Sequence, residues 1–345
     1  MNENFKLLNK KIKILHLIQH MKIGGGQKAL TNIISSTSIS FEHVVVSTFN
    51  QYESELNKLN SSFIDCEKKN ILKIIREEAP DIIHYHWWPG FKMIPKNKIP
   101  HNCGIIVTVQ DPTPVEDIQA DIYISGSNFI NLFQKHIDGK KRIVIKSYID
   151  VREFTLKKKK NTEIIIGRHS TIYKNKIPEN YIKTLLDFSL KAKFIIAGDG
   201  ESKIIEKLNL EIIKNNAQNK IEIWPGEKIK EMLSICDIFL YITPDDSFEG
   251  FANVISEAMV AGIPVIAENK GGNSEQIIHG KTGFLCTGYN EARDFCQLLI
   301  EDRILRLKMG GNSKKRGLTF DHTIMGKQYD QIYTNLVKLN NKEKQ

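Results

Sequence analysis

Short runs rich in isoleucine and valine alternate with helix-like stretches along this chain, and the alternation occurs twice. In the first half the strand candidates are 12–18, 42–48, 81–86, 104–109, 121–125 and 142–146, with helix candidates such as 27–36 and 71–79 between them. In the second half they are 163–167, 193–199, 220–224, 237–243, 263–267 and 282–286, separated by helix candidates at 202–216, 227–235, 250–261 and 273–279. Strands that alternate with helices predict a parallel sheet covered on both faces. Two such series in 345 residues predict an α/β protein of two Rossmann-like, doubly wound domains facing across a cleft.

Boundaries follow from the interruptions. The segment 151–162, with its run Lys157 to Lys160, reads as a linker between an N-terminal domain, 1–150, and a C-terminal one, 163–320. The remainder, 321–345, has helical apolar spacing and no strand after it, and is expected to pack back on the first domain.

Composition narrows the function classes. A net charge of +9 suits anionic partners, but no helix-turn-helix, zinc-finger or RNP-type pattern accompanies it, so no nucleic-acid partner is expected. The charge and the tryptophan-bearing loops do suit peripheral contact with an anionic membrane. No uninterrupted apolar stretch is long enough to span a bilayer, and the first residues lack the apolar core of a signal peptide. A cytoplasmic protein is expected, peripheral at the inner face of the cell membrane when docked there. Five scattered cysteines include no C-x-x-C pair, which argues against a zinc site or a disulfide framework.

In open α/β sheets ligands bind at the carboxyl ends of the strands, so the residues just after each strand candidate carry the functional reading. After 237–243 come Glu249 and Glu257, eight positions apart, one before a helix and one about two turns along, ~12 Å apart on the helix axis. A helix start favours anions because its first N–H groups lack partners and its dipole is positive there. A nucleotide sugar could span such a pair, its diphosphate at the helix start. The plainer reading is a solvated helix stripe, since Asn253, Ser256 and Glu257 share one face.

After 12–18 comes Gly24–Gly26, whose bare backbone lets a phosphate approach. The loop matches a dinucleotide fingerprint. Its strand ends too early, however, and the next strand ends without the acid that would hold a ribose, so an NAD site is rejected. After 81–86, His86 is expected at the strand end, followed by Trp87 and Trp88; core packing is the alternative. After 104–109 come Gln110 and Asp111, and after 163–167 comes Arg168, with Lys174 and Lys176 close behind, a set suited to a diphosphate. The loop after 220–224, with Pro225, Gly226 and Glu227, is expected to meet a nucleobase through backbone groups.

The stretch EGFANVISEAMVAGIPVIAENKGGNSEQIIHGKTGFL (249–285) resembles the family 4 glycosyltransferases of the GT-B fold. Its carriers are E-x7-E, G-x-P-V-I-A, a Gly-Gly pair and a final G-x-x-G. PDIIHYH (80–86), IGR (166–168), FIIAGDG (194–200) and CDIFLYITP (236–244) support it. The resemblance implies a retaining, metal-independent hexosyl- or N-acetylhexosaminyltransferase with a UDP- or GDP-linked sugar as donor. It implies that Glu249 lies near the sugar hydroxyls and that Glu257 holds the ribose. Phe251, Ala252, Asn253 and Val254 would offer amides, Arg168 with Lys174 or Lys176 would meet the diphosphate, and Gly25 and Gly26 would touch phosphate. His86, Gln110 and Asp111 would lie on the acceptor side, Gln110 standing where many relatives have histidine, and Ala252 replaces a common glycine. The acceptor implied is a hydroxyl of a surface glycan or lipid-linked oligosaccharide. A nucleotide-sugar epimerase and a non-catalytic nucleotide-sugar-binding subunit are the alternatives.

Overall fold

The computed structural model describes residues 11–22, 24–59, 61–87 and 89–342; Trp88 lies outside them. The chain divides into two compact units, Met1–Tyr148 with His322–Gln345, and Ile149–Asp321.

The first unit is a parallel sheet of seven strands: β1 (Ile12–Ile18), β2 (Phe41–Ser47), β3 (Ser62–Asp65), β4 (Ile82–Trp87), β5 (Gly104–Val109), β6 (Ile122–Ser125) and β7 (Arg142–Val144). The order across it is β3-β2-β1-β4-β5-β6-β7. The second unit holds six parallel strands: β8 (Ile165–His169), β9 (Lys193–Ala197), β10 (Ile221–Trp224), β11 (Ile238–Tyr241), β12 (Val265–Glu268) and β13 (Gly283–Cys286), ordered β10-β9-β8-β11-β12-β13. Every residue of β4, β5, β11 and β12 is buried, as expected of strands covered on both faces. In each unit the chain winds outward from its first strand and then returns to that strand's other side. The reversal lies between β1 and β4 in one sheet and between β8 and β11 in the other. Such switch points open crevices at the carboxyl edge.

The twelve strand candidates all form. The added strand, β3, is a four-residue edge strand with both end residues exposed, too short and too polar to register as an apolar run. The C-terminal helix His322–Lys342 belongs to the first unit. Its Met325, Tyr329, Tyr333 and Leu336 join Ile14, Ile82 and Ile106 in one apolar cluster.

The segment expected as a linker belongs instead to the second unit. Residues Val151–Phe154 form a helical turn. Beyond it, Lys158 Nζ donates to the carbonyls of Leu233 (3.0 Å) and Cys236, closing the C-terminus of helix Ile229–Ile235. A cation is favoured where a helix presents its last carbonyls. Burial lowers the Lys158 pKa despite the nearby Cys236 and Asp237. A solvated charge run in the sequence is thus partly a helix cap.

Candidate functional site

The second unit gathers its polar groups at its switch point. Chain order brings β8 and β11 side by side, and the loop after β11 leads through Glu249 into helix Asn253–Val260. No side chain caps that helix, so the first amides, at Asn253 and Val254, have no intrahelical acceptor. The N–H of Ala252 is already used, donating to Gln276 Oε1 at 3.0 Å, while Gln276 Nε2 returns a bond to Ala252 O at 2.9 Å. Ala252 has ordinary extended dihedrals, so the alanine in place of glycine introduces no backbone strain. Asn253 Oδ1 is buried without a partner, and Phe251 is buried edge-on against Phe320.

Glu249 stands before the helix as expected. It accepts from Lys176 Nζ at 2.5 Å and from the Tyr241 hydroxyl at 2.7 Å. Burial alone would raise its pKa, but Lys176, Tyr241 and Arg168 together hold it below the usual carboxylate range. Lys176 is therefore the lysine beside the carboxylate, while Lys174 is exposed. Glu257 Oε2 lies 3.2 Å from His169 Nε2, a neighbour that no sequence pattern singles out. Burial, reinforced by Arg168, lowers the pKa of His169 to about 3, so the imidazole is neutral.

Arg168 departs from expectation. It lies within β8 rather than after it, and is 2% exposed. Its guanidinium donates to the carbonyls of Ile242 and Lys176 and sits 5.1 Å from the rings of both Tyr181 and Tyr241. The strand continues two residues further than the apolar pattern because carbonyls and aromatic faces give the cation partners inside the unit. Gly226 also differs. Its N–H donates to Asp199 Oδ1 at 2.9 Å and its carbonyl accepts from Ile229 N–H, so within the loop expected to meet a base these two groups have partners inside the unit.

Two glycines fix the Glu249 loop. Gly271 adopts φ +59°, and Gly272 N–H donates to Glu249 O at 2.7 Å.

In the first unit, Gly25 and Gly26 open helix Gly25–Ser36, which has Gly24 at its N-cap and no capping side chain. A Cβ on Gly26 would lie 3.0 Å from Gln110 Oε1, so the glycine loop and Gln110 meet. Asp111 follows in the same loop, partly exposed. His86 stands next to last in β4, at the strand end, and is buried there in a histidine network. His86 Nε2 lies 3.0 Å from His16 Nδ1, His16 Nε2 lies 2.9 Å from His43 Nδ1, and His43 Nε2 lies 2.9 Å from Thr37 Oγ1. His84 joins Tyr333 and Thr108 at 2.9 and 2.7 Å. Burial lowers all four imidazole pKa values, to about 4 at His43, about 3 at His86, and well below the ordinary value at His16 and His84. His16, His84 and His86 come close enough to hold a metal ion. Both ring nitrogens of His16 and of His84 are already hydrogen-bonded, so the arrangement reads as a polar network.

Residues 150–316 match the family model described as glycosyl transferases group 1. The alpha-1,3/1,6-mannosyltransferase ALG2 of Dictyostelium discoideum is 42% identical over 94 residues, which are 26% of this chain and 21% of that protein. The N-acetyl-alpha-D-glucosaminyl L-malate synthase of Bacillus anthracis is 27% identical over 158 residues, 43% of this chain and 38% of that protein. Each alignment thus takes in well under half of the relative's length. The crystal structure of Anabaena Alr3699/HepE in complex with UDP and glucose superposes with a TM-score of 0.77 at 17% identity, covering 94% of this chain and 100% of that one. That likeness establishes the two-sheet α/β fold of the GT-B glycosyltransferases. Residues 150–316, just under half of this chain, are thus similar to the glycosyl transferases group 1 family.

Proposed function

We propose that the chain is a retaining glycosyltransferase that moves a sugar from a UDP- or GDP-linked donor to a hydroxyl acceptor in surface polysaccharide or lipid-linked glycan assembly. The observation that carries this reading is the carboxylate pair Glu249 and Glu257 flanking an uncapped helix start at the β8–β11 switch point, with Lys176 beside the first. The donor's diphosphate sits at the amides of Asn253 and Val254, where unpaired N–H groups and the helix dipole favour anions. Glu257 receives the ribose and Glu249 the sugar hydroxyls. As the glycosidic bond breaks, negative charge grows on the departing β-phosphate. Lys176 exchanges Glu249 for that phosphate and stabilises it; in most enzymes, stabilising such developing charge accounts for more of the rate than any other effect. Arg168 acts from beneath: it holds the Lys176 carbonyl and adds positive charge without leaving the unit. The acceptor hydroxyl attacks on the face the leaving group vacates, so configuration is retained. Within the first unit, taken by itself, Gly25 and Gly26 are the candidate phosphate contacts, and His86, Gln110 and Asp111 are the candidate acceptor-side residues.

Thermal unfolding with UDP, GDP, ADP, CMP and NAD tests the donor reading, because a ligand that binds only the folded chain raises the midpoint in proportion to ln(1 + [L]/Kd). UDP or GDP raises it, and Glu257→Ala removes most of the shift. A shift with NAD alone, or none with any nucleoside diphosphate, defeats the proposal.

Peripheral membrane contact is part of the same proposal. Among the described residues no helix is long and apolar enough to cross a membrane. In the first unit Leu132 and Phe133 are exposed beside the exposed Lys135 and Lys140, a combination suited to an anionic bilayer surface. Vesicles containing phosphatidylglycerol sediment the protein, 0.5 M salt releases it (an ionic strength that shortens the Debye length to roughly 4 Å), and Leu132→Ser with Phe133→Ser abolishes binding. Equal binding to neutral vesicles would remove the electrostatic part.

A further inference from the structure

The histidine network of the first unit has a direction, and the direction leaves one nitrogen bare. Each neutral imidazole carries one N–H and one lone pair. The chain of contacts runs from Thr37 through His43 and His16 to His86. Thr37 has a single hydroxyl proton, and its Oγ1 also lies 3.1 Å from the carbonyl of Ile34, which can only accept. That proton therefore goes to Ile34, and Thr37 Oγ1 must accept from His43 Nε2–H. It follows that His43 Nδ1 accepts from His16 Nε2–H, and that His16 Nδ1 accepts from His86 Nε2–H. The remaining nitrogen, His86 Nδ1, is then an unprotonated lone pair. The opposite direction forfeits the bond to Ile34 and leaves a buried N–H at His86 without an acceptor, which is rarer and costlier than a bare lone pair.

His86 Nδ1 is buried and has no hydrogen-bond partner, and the residue is 7% exposed. Its place in the fold gives this meaning. His86 is next to last in β4, paired with Ile18 of β1 and Thr108 of β5. It therefore lies at the carboxyl end of the β1–β4 switch point, where ligands enter sheets of this kind. The same edge holds the uncapped start of helix Gly25–Ser36, and Gly26 against Gln110.

We propose that the first unit has a hydroxyl-binding site at this switch point, in which His86 Nδ1 accepts a hydrogen bond from the glycosyl acceptor. His16, His43 and Thr37 are positioning residues that hold the tautomer. The assignment of the ligand as a sugar hydroxyl rests on the transferase reading; the direction of the network does not. A relay of this kind selects for a donor group. A hydroxyl fits a fixed lone pair, whereas a carboxylate or phosphate would meet it with repulsion.

The test is a long-range proton–nitrogen correlation spectrum of the full chain labelled with 15N-histidine at neutral pH, with the His86 signals assigned from their loss in His86→Gln. The expected spectrum has Nε2 protonated and Nδ1 unprotonated. Thr37→Val deprives the relay of its terminal acceptor and mixes the two His86 tautomers, while Thr37→Ser restores the single one. Ser35→Ala, on the same turn but outside the relay, changes nothing. Methyl α-glucoside, methyl α-mannoside and methyl N-acetyl-α-glucosaminide are then titrated with and without UDP and GDP. At least one moves the Nδ1 resonance toward the hydrogen-bonded range, and Thr37→Val weakens that response about tenfold, the worth of one hydrogen bond.

A protonated Nδ1 in the wild-type chain overturns the relay. An unprotonated Nδ1 that no glycoside moves overturns the site and leaves a buried water as its partner. Nucleotide binding that depends on Glu257 is read in the same samples. Its loss would count against the transferase reading, and the His86 spectrum would still decide the relay.

Discussion

Acidification from pH 7 toward pH 4 unfolds the first unit while the second remains folded. Four of its histidines, at 16, 43, 84 and 86, are neutral in the folded state because burial opposes their charged form. In the unfolded chain each titrates near its ordinary value, ~6.5. Above that pH neither state binds the proton, and stability is unaffected. Below it the unfolded chain takes up protons that the folded chain refuses, so stability falls as pH drops, until the folded pKa values near 4 at His43 and 3 at His86 are reached. The loss is ~1.4 kcal/mol per pH unit for each histidine. At pH 5 it amounts to ~2 kcal/mol each, or ~8 kcal/mol for the four, against the ~5–15 kcal/mol of an ordinary domain. The second unit carries a comparable shift at His169. Trp87 lies in the first unit and Trp224 in the second, so tryptophan emission in a Trp224→Phe background follows the first unit alone. A first unit still folded at pH 4, or one that unfolds only together with the second, would count decisively against the neutral network.

Gly272→Ala disables the candidate donor site and destabilises the second unit by about 3 kcal/mol or more. A Cβ at Gly272 would lie 1.7 Å from the carbonyl oxygen of Gly250, and one at Gly271 would lie 2.4 Å from that of Glu249. Both obstacles are backbone, so no rotamer change relieves them. The Gly272 N–H bond to Glu249 O ties the same two segments together. Any shift that accommodates a methyl group must move Glu249 and the chain leading into the uncapped helix. Gly311→Ala is the contrasting case: it is helical with open space around it, and alanine there gains up to ~1 kcal/mol. Urea unfolding and UDP or GDP calorimetry on both variants decide the matter. Unchanged stability and nucleotide affinity in Gly272→Ala would show that the loop does not depend on this contact.

Strand positions were legible because a strand buried on both faces must be apolar along its whole length, and β1 and β5 begin and end where their apolar runs do. Boundaries failed where polar residues found partners inside, as Arg168 did among carbonyls and tyrosine rings. Helix Arg303–Gly317 has no clear periodic signal, in part because Gly310 and Gly311 interrupt it. Gly310 is there for packing, since a Cβ would lie 2.4 Å from Gly262 O. Of the candidate site, Glu249 and Glu257 were readable from their spacing in a strand–loop–helix–strand unit. Tyr241, His169 and Gln276 were not, because each becomes relevant only through a neighbour distant in sequence or through a turn that the chain makes later.

Local pattern was enough to establish the alternation of strands and helices, the two-sheet architecture and the placing of Glu249 and Glu257 about a helix start. Those are consequences of local period and of the residues just beyond each strand. The folded arrangement was needed to learn that Lys176 meets Glu249, that Arg168 lies inside its sheet, and that His16, His43 and His86 form one hydrogen-bonded chain. Parallel register brings side chains from separate strands within hydrogen-bonding distance, and burial then fixes their charge. Neither register nor burial is a property of any single stretch of sequence.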